Sequence, residues 1–297
     1  MKQRTKIRNF LLKHPHLNPY KFYSQSITRT IPFAIFRLPT AKQRMKPSFL
    51  ILGAQKCGTT TLYEHITGNK QVLASTMKEI HYFDNNFTKN LNWYHAHFPL
   101  DIYNDHITGE ATSFYLFHPL VAQRVKKTFP DIKLIIILRN PVKRAFSQYQ
   151  HNIRLLRENL SFEKAVKIEN NRLQNETITE NKLLFSHWYH SYRLMGQYIE
   201  QLEHWLKYFK KEQLFITSLE MFIKSPQNTM DEIFSFLGLT DYDYFVIRNV
   251  ENVGGYKEKI NTETESELIE HFKPFNEKLF NFVGKQLWPL QEIGDEE

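Results

Sequence analysis

The sequence predicts a three-layer α/β/α fold with a central, mainly parallel sheet, and three observations carry that prediction. From Phe49 onward short aliphatic runs alternate with longer helical stretches, as the strands and crossover helices of a parallel sheet do. KLIIILR at 133–139 sets five consecutive aliphatics between polar ends, a strand that must be buried on both faces. FLILGAQKCGTTTL at 49–62 runs from another such strand through a glycine-bracketed, P-loop-like turn into a helix. With 297 residues, 41% hydrophobic and 14% aromatic, the chain can bury one large core. The expected division is a basic extension over residues 1–47 and a domain over 48–297.

Each element follows from local chemistry. Residues 1–47 mix basic residues with Pro15, Pro19, Pro32, Pro39 and Pro47, a composition that supports neither a long helix nor a regular strand. FLILGA forms the first buried strand, Gly58 to Thr67 a helix, QVLAS (71–75) a short strand and HPLVAQRVKKTFP (118–130) an amphipathic helix. KLIIILR should lie beside the first strand. Pro141 presets the first turn of the helix that carries VKRAFSQYQHNIR. Apolar spacings of three and four predict one long helix over 187–209, and QLFITSLEMF reads as a strand. SPQNTMDEIFSFLGL is a helix with Ser225 as N-cap, Pro226 behind it and Gly238 as its stop. Residues 262–284 read as terminal helices broken near Pro274.

The formal net charge of +8 is local. No Asp or Glu precedes Glu64, a segment that holds twelve Lys and Arg, whereas the remaining 234 residues carry 27 basic and 31 acidic side chains. That distribution argues against a whole-protein nucleic-acid surface; the basic arm reads first as a poorly ordered or surface-hugging extension, with peripheral contact to anionic membrane as the alternative. A single cysteine, Cys57, excludes an intramolecular disulfide and suits a reducing compartment. The longest apolar runs are far short of the roughly 20 residues of a membrane-spanning helix. The apolar continuation after the basic start, Phe10 to Leu12, is too short for a secretory leader. These features together set the expectation of a cytoplasmic protein.

The glycine-bracketed loop binds phosphate by its geometry, because a strand–turn–helix junction aims backbone amides and the positive end of a helix at one point. Gly53 and Gly58 keep the spacing of GxxxxGK[ST], but Thr59 stands where that motif has its lysine, and the lysine has moved to Lys56. The strand 133–139 ends in Arg139, where a triphosphatase would place an aspartate for magnesium. Two cationic anchors on neighbouring strands suit a nucleotide with phosphates at both ends of its ribose. A P-loop kinase or NTPase with a degenerate loop, and a non-catalytic nucleotide- or membrane-binding protein, are the alternatives.

At these residues the chain resembles the sulfotransferases that use 3′-phosphoadenosine 5′-phosphosulfate (PAPS), in particular the group acting on heparan sulfate and other carbohydrates. GAQKCGTTTL resembles their 5′-phosphosulfate loop, and LRNPVKRAFSQYQH their 3′-phosphate motif. KEIHYFD (78–84) is similar to KExHFFD, GEATSFY to GEKTPxYF, and FKPFNEKLFNFVG to their closing helix, so the likeness covers roughly residues 48–290.

The resemblance implies transfer of a sulfuryl group from PAPS to a hydroxyl or amine of an acceptor, a sugar by preference. It implies Glu79 as the base, Lys56 on the leaving phosphate, and His81 in support. Cofactor contacts follow at Lys56, Cys57, Gly58, Thr59 and Thr60 for the 5′ side, and at Arg139 and Ser147 for the 3′ side. Lys257 or Lys259 in NVGGYKEKI would close over the 3′-phosphate. Lys78, His81 and Asp84 would meet the acceptor. Thr60 and Ala111 stand where heparan-acting members have an arginine and a lysine, which points away from a heparan-like polyanion. No third ligand accompanies His95 and His97, so no metal is expected. Trp93, Tyr94 and Trp188 fit either sugar stacking or the core.

Overall fold

The computed structural model describes residues 33–102, 105–174, 176, 185–239 and 259–289. Five strands, β1 (Phe49–Gly53), β2 (Val72–Ala74), β3 (Ile107–Ala111), β4 (Lys133–Leu138) and β5 (Leu214–Ser218), form one sheet in the order β2-β3-β1-β4-β5. All four pairings are parallel. The helices are α1 (Thr59–Thr67), α2 (Leu91–His95), α3 (Val121–Thr128), α4 (Pro141–Arg154), α5 (Phe162–Lys167), α6 (Glu169–Leu173), α7 (Phe185–His190), α8 (Tyr198–Leu206), α9 (Leu219–Lys224), α10 (Pro226–Leu237) and α11 (Thr262–Val283).

The strand pattern explains the layers. Side chains alternate along a strand, so Leu50, Leu52, Leu134, Ile136 and Leu138 pack against α3, α8 and α11 on one face. Phe49, Ile51, Ile135 and Ile137 meet α1 and α10 on the other. Each buried aliphatic stabilises by roughly 1.5–3 kcal/mol, which is why the five of β4 sit beside β1 at the centre. The chain leaves β1 toward β2 and leaves β4 toward β5, on opposite sides. The carboxyl ends of β1 and β4 therefore frame the crevice in which a doubly wound sheet binds its ligand.

The structure departs from the sequence expectations in four places. The run 187–209 is not one helix: α7 and α8 are separated at Ser191–Gln197. Buried Arg144 donates to the carbonyls of Ser191, at 3.3 Å, and Tyr192. Glu169 takes the amides of Arg193 and Leu194 at 2.7 and 2.9 Å. Those side chains capture backbone groups that a continuous helix would have paired. The strand in QLFITSLEMF stops at Ser218, whose side chain accepts from the Met221 amide and starts α9. Ser225 occupies the N-cap position of α10 without a side-chain cap bond, while Gly238 ends the helix at φ 82° as expected. Helix α11 runs unbroken through Pro274. Pro274 lies on the exposed face, opposite buried Phe272, Asn276 and Leu279, where water can serve the carbonyl it leaves unpaired.

Of residues 1–47, those from Phe33 onward are described, and they pack on the domain. Arg37 donates to the carbonyls of Ala96 and Phe98 at 2.7 and 2.6 Å, and Arg44 to that of Phe98 at 2.8 Å. Ala41 and Met45 are buried. The membrane contact expected of the basic arm falls mainly on residues 1–32, outside the described residues, as does Lys257. No helix among the described residues is long and apolar enough to cross a membrane.

Candidate active site

At the carboxyl ends of β1 and β4 lies a cleft of about 530 Å³. Its lining includes Lys56, Gly58, Thr59, Thr60, Lys78, Glu79, His81, Ser113, Arg139 and Ser147, so the separate sequence motifs converge on one space.

The phosphate loop supplies the first group. Lys56 is in the left-handed region, φ 69°, and Gly58 follows at φ 86°. The φ of Gly58 is one that side chains rarely adopt, which favours glycine in this turn, while a Cβ there would meet only the movable end of Leu219, Cδ1 at 2.8 Å. Helix α1 starts immediately afterwards. Its first loop-to-helix hydrogen bond is Leu62 N to Gly58 O, which leaves the amides of Thr59, Thr60 and Thr61 without helical partners at the cleft.

The second group comes from the end of β4. Arg139 Nη1 reaches Lys56 O at 3.5 Å, tying the two loops together. Asn140 Oδ1 caps α4 by accepting from Val142 N and Lys143 N at 3.0 and 3.2 Å, and Pro141 fits the first turn. Two turns later Ser147, largely buried, faces the cleft, and the same side of α4 adds Gln148, His151, Asn152 and Arg154.

Electrostatics describe a cleft built for anions. Burial pushes the Lys56 ammonium down to about 8, and Arg154, Arg139 and Lys78 add to that effect. Burial, then Lys56, Arg154 and Arg157, push the His151 imidazole down to about 4. Among the lining residues five carry Lys or Arg cations, against the one carboxylate of Glu79.

That carboxylate is held from several sides. Ser113 donates to Glu79 through its amide, at 3.1 Å to Oε2, and its hydroxyl, at 2.9 Å to Oε1; Lys78 Nζ donates at 2.9 Å. Lys78 also donates to Thr59 Oγ1 at 3.2 Å, linking Glu79 to the start of α1. Burial opposes the negative charge of Glu79, but Lys78, His81 and the Ser113 hydroxyl together hold it below the usual carboxylate range. His81 Nε2 lies 3.4 Å from Glu79 Oε2, and its Nδ1 is 2.8 Å from Asp84 Oδ2. Burial disfavours the imidazolium, yet Asp84, Glu79 and Glu110 raise its pKa. Glu79 and His81 both have positive φ, 58° and 55°, so this turn is strained at the two residues that face the cleft.

Three residues expected at the site lie outside the cleft lining. Cys57 is fully buried, with Sγ 3.7 Å from the Tyr198 hydroxyl, and burial raises its thiol to about 11; it fills space beneath the loop. Asp84 has a completely buried side chain behind His81 and does not line the cleft, so it orients the imidazole instead of meeting an acceptor. Lys259 is exposed and is not among the lining residues. Trp93 and Tyr94 belong to the aromatic packing of α2, whereas Trp188 lines the cleft, stacked on Phe114 at 4.8 Å and 9° and 4.8 Å from the His81 ring. Ser113, His151, Arg154, Arg157 and Tyr189 were not singled out from the sequence. For His151 and Arg154 the signal was present, since they follow Ser147 at spacings of four and seven on a predicted helix.

The family model described as Sulfotransferase domain matches residues 46–278. The membrane-associated sulfotransferase kil1 of Dictyostelium discoideum is 28% identical over 80% of this chain and 65% of its own length. Heparan sulfate glucosamine 3-O-sulfotransferase 5 of Mus musculus is 31% identical over 82% of this chain and 74% of its own. Among solved structures, a sulfotransferase from Alicyclobacillus acidocaldarius superposes with a TM-score of 0.67 at 28% identity, covering 82% of this chain and 97% of that one. The phosphate loop, the arginine-ended β4 and the glutamate held between Lys78 and Ser113 thus lie inside a matched region of known kind: the chain belongs to the sulfotransferase domain family.

Proposed function

We propose that the protein transfers a sulfuryl group from PAPS to a hydroxyl or amine of a carbohydrate acceptor, with residues 48–297 as the catalytic unit. The observation that carries this is one cleft in which two cationic anchors, Lys56 and Arg139, leave adjacent strands and face a held carboxylate, Glu79. Burial first and neighbouring cations second push Lys56 and His151 away from their charged forms, and a polyanionic nucleotide offsets the repulsion among those cations, so the residues fit the donor. The donor supplies an activated sulfuryl group on its 5′-phosphate. Lys56 and the amides of Thr59 and Thr60 hold the 5′ side, and Lys56 neutralises charge as it develops on the leaving phosphate oxygen. Arg139 and Ser147 hold the 3′-phosphate. Glu79, ionised at neutral pH, takes the proton of the attacking acceptor group, and its neighbours Lys78 and His81 steady it. Trp188 and Tyr189 form the wall next to His81 on which a sugar ring would lie. The 3-O-sulfotransferase named above acts on a glucosamine of heparan sulfate, which supports a sugar acceptor here.

The kinase or NTPase alternative is not favoured, because Arg139 puts a positive charge where a magnesium-organising carboxylate is needed. The test is transfer of labelled sulfuryl from PAPS to a panel of mono- and oligosaccharides, with Glu79→Gln in parallel. We expect transfer by the unaltered chain and a loss of about a hundredfold or more in Glu79→Gln, at unchanged affinity for adenosine 3′,5′-bisphosphate. Binding of magnesium–ATP in preference to the bisphosphate would overturn the proposal.

A further inference from the structure

Directly behind the turn that carries Glu79 and His81 is a second carboxylate, Glu110, whose side chain is wholly buried on β3. It accepts three hydroxyl hydrogen bonds: from Thr112 Oγ1 to Oε2 at 2.6 Å, and from Tyr115 and Tyr94 to Oε1 at 3.0 and 3.1 Å. Two of those hydroxyls are themselves acceptors. Tyr115 OH takes the amides of Tyr82 and Phe83 at 2.8 and 3.2 Å, and Thr112 Oγ1 takes the amide of His81 at 3.4 Å. The Glu79 amide bonds Ala111 O at 2.8 Å, on the same strand end.

We propose that Glu110 is a positioning residue for sulfuryl transfer: its carboxylate, acting through Thr112 and Tyr115, fixes the three consecutive amides of residues 81–83 and so holds the strained turn that aims Glu79 and His81. The proposal rests on the catalytic roles given above to those two residues.

The direction of each hydrogen bond makes the charge state of Glu110 matter. A hydroxyl that accepts from a backbone amide sends its own proton onward, so Thr112 and Tyr115 both need an acceptor at Glu110. An ionised carboxylate satisfies both, and Tyr94 as well. Protonated, one oxygen becomes a donor facing hydroxyl protons, and one arm to the turn is lost. The groups facing Glu110 are Tyr94 from α2, Tyr63 from α1, Tyr115 and Thr112 after β3, and His81 from the turn. Burial outweighs the three hydroxyls and His81 and raises the carboxyl to about 7. A glutamine of the same shape has one acceptor oxygen and turns an amide donor toward the other hydroxyl, so it too keeps one arm to the turn and loses the other.

The test compares Glu110→Gln with the unaltered chain by thermal denaturation, bisphosphate affinity, kcat against pH, and a titration of the His81 ring by NMR. We expect Glu110→Gln to stay folded, to bind the bisphosphate equally, and to lose about tenfold or more in kcat. The acid limb of kcat near pH 7 should disappear in the variant, and His81 should titrate at lower pH, since Glu110 raises it. If Glu110→Gln folds poorly, Thr112→Val removes one arm while keeping the carboxylate and should lower kcat in the same way. Unchanged kcat and an unchanged acid limb in both variants would overturn the inference. Loss of transfer to every acceptor by the unaltered chain would instead overturn the proposed function, and the His81 titration would still report on Glu110.

Discussion

At the scale of single residues, Lys56 shows how a position becomes functional through its surroundings. A lysine on a solvated loop stays charged to high pH, but burial among Arg154, Arg139 and Lys78 brings this one to about 8. Binding of an anionic nucleotide favours the ammonium form, so the sign is fixed: affinity should be flat below pH 8, where Lys56 is already protonated. It should then weaken above pH 8, by at most tenfold per unit, as a proton must be taken up on binding. Calorimetric titration of adenosine 3′,5′-bisphosphate from pH 6.5 to 9.5 measures this. The Lys56→Arg variant, charged throughout, should be insensitive. A pH-independent affinity in the unaltered chain would remove Lys56 from the phosphate.

At the scale of elements, α4 carries two jobs on one face. Under the proposed function Arg139, just before the helix, and Ser147 on it hold the nucleotide, whereas Arg154 at its end and the following Arg157 line the cleft beside Tyr189. There Arg157 lies over the Tyr189 ring at 4.3 Å. Among the described residues neither Arg154 nor Arg157 is in an ion pair with a carboxylate. Arg139→Ala should weaken the bisphosphate by roughly 1.5–3 kcal/mol, about 10- to 150-fold, because it deletes a charge-assisted phosphate contact. Arg154→Gln with Arg157→Gln should leave that affinity within a few-fold and raise the KM of the acceptor instead. The reverse pattern would assign the end of the helix to the nucleotide.

How much of each element was legible depends on what fixes it. The junctions β1–α1 and β4–α4 could be read because glycine, proline and unbroken aliphatic runs act locally. β3 could not, since its central residues Thr108, Gly109 and Glu110 are polar or bare and buried only because β1 and β2 enclose them. The break between α7 and α8 is imposed by Arg144 and Glu169, distant in sequence, and no periodicity encodes it. In the site, KEIHYFD marked Glu79 and His81, but Asp84 turned inward because His81 takes its carboxylate, and Cys57 because the loop closes over Tyr198.

At the scale of the whole molecule, the site is a seam. Lys56 and the start of α1 extend from β1, Arg139 and Ser147 from β4, and these two central strands pack their opposite faces into separate cores. Helix α4 belongs to a third cluster with α5 and α11. A ligand that grips both strand ends and α4 therefore bridges all three clusters, and unfolding any of them must release it. Linkage then sets the size of the effect: at a hundredfold excess over its Kd, adenosine 3′,5′-bisphosphate should stabilise the fold by about 2.7 kcal/mol. For a domain of this size that is a rise in Tm on the order of 5 °C. Magnesium–ATP at the same concentration should give a smaller shift, because it has no 3′-phosphate for the Arg139–Ser147 pair and its metal meets an arginine. The measurement is a calorimetric or dye-monitored melt with each ligand, repeated with Arg139→Ala, in which the shift from the bisphosphate should fall by about half or more. A melt raised equally by both nucleotides, or untouched by the arginine substitution, would mean that the ligand is held by the β1 loop alone and that the two strands do not act as one clamp.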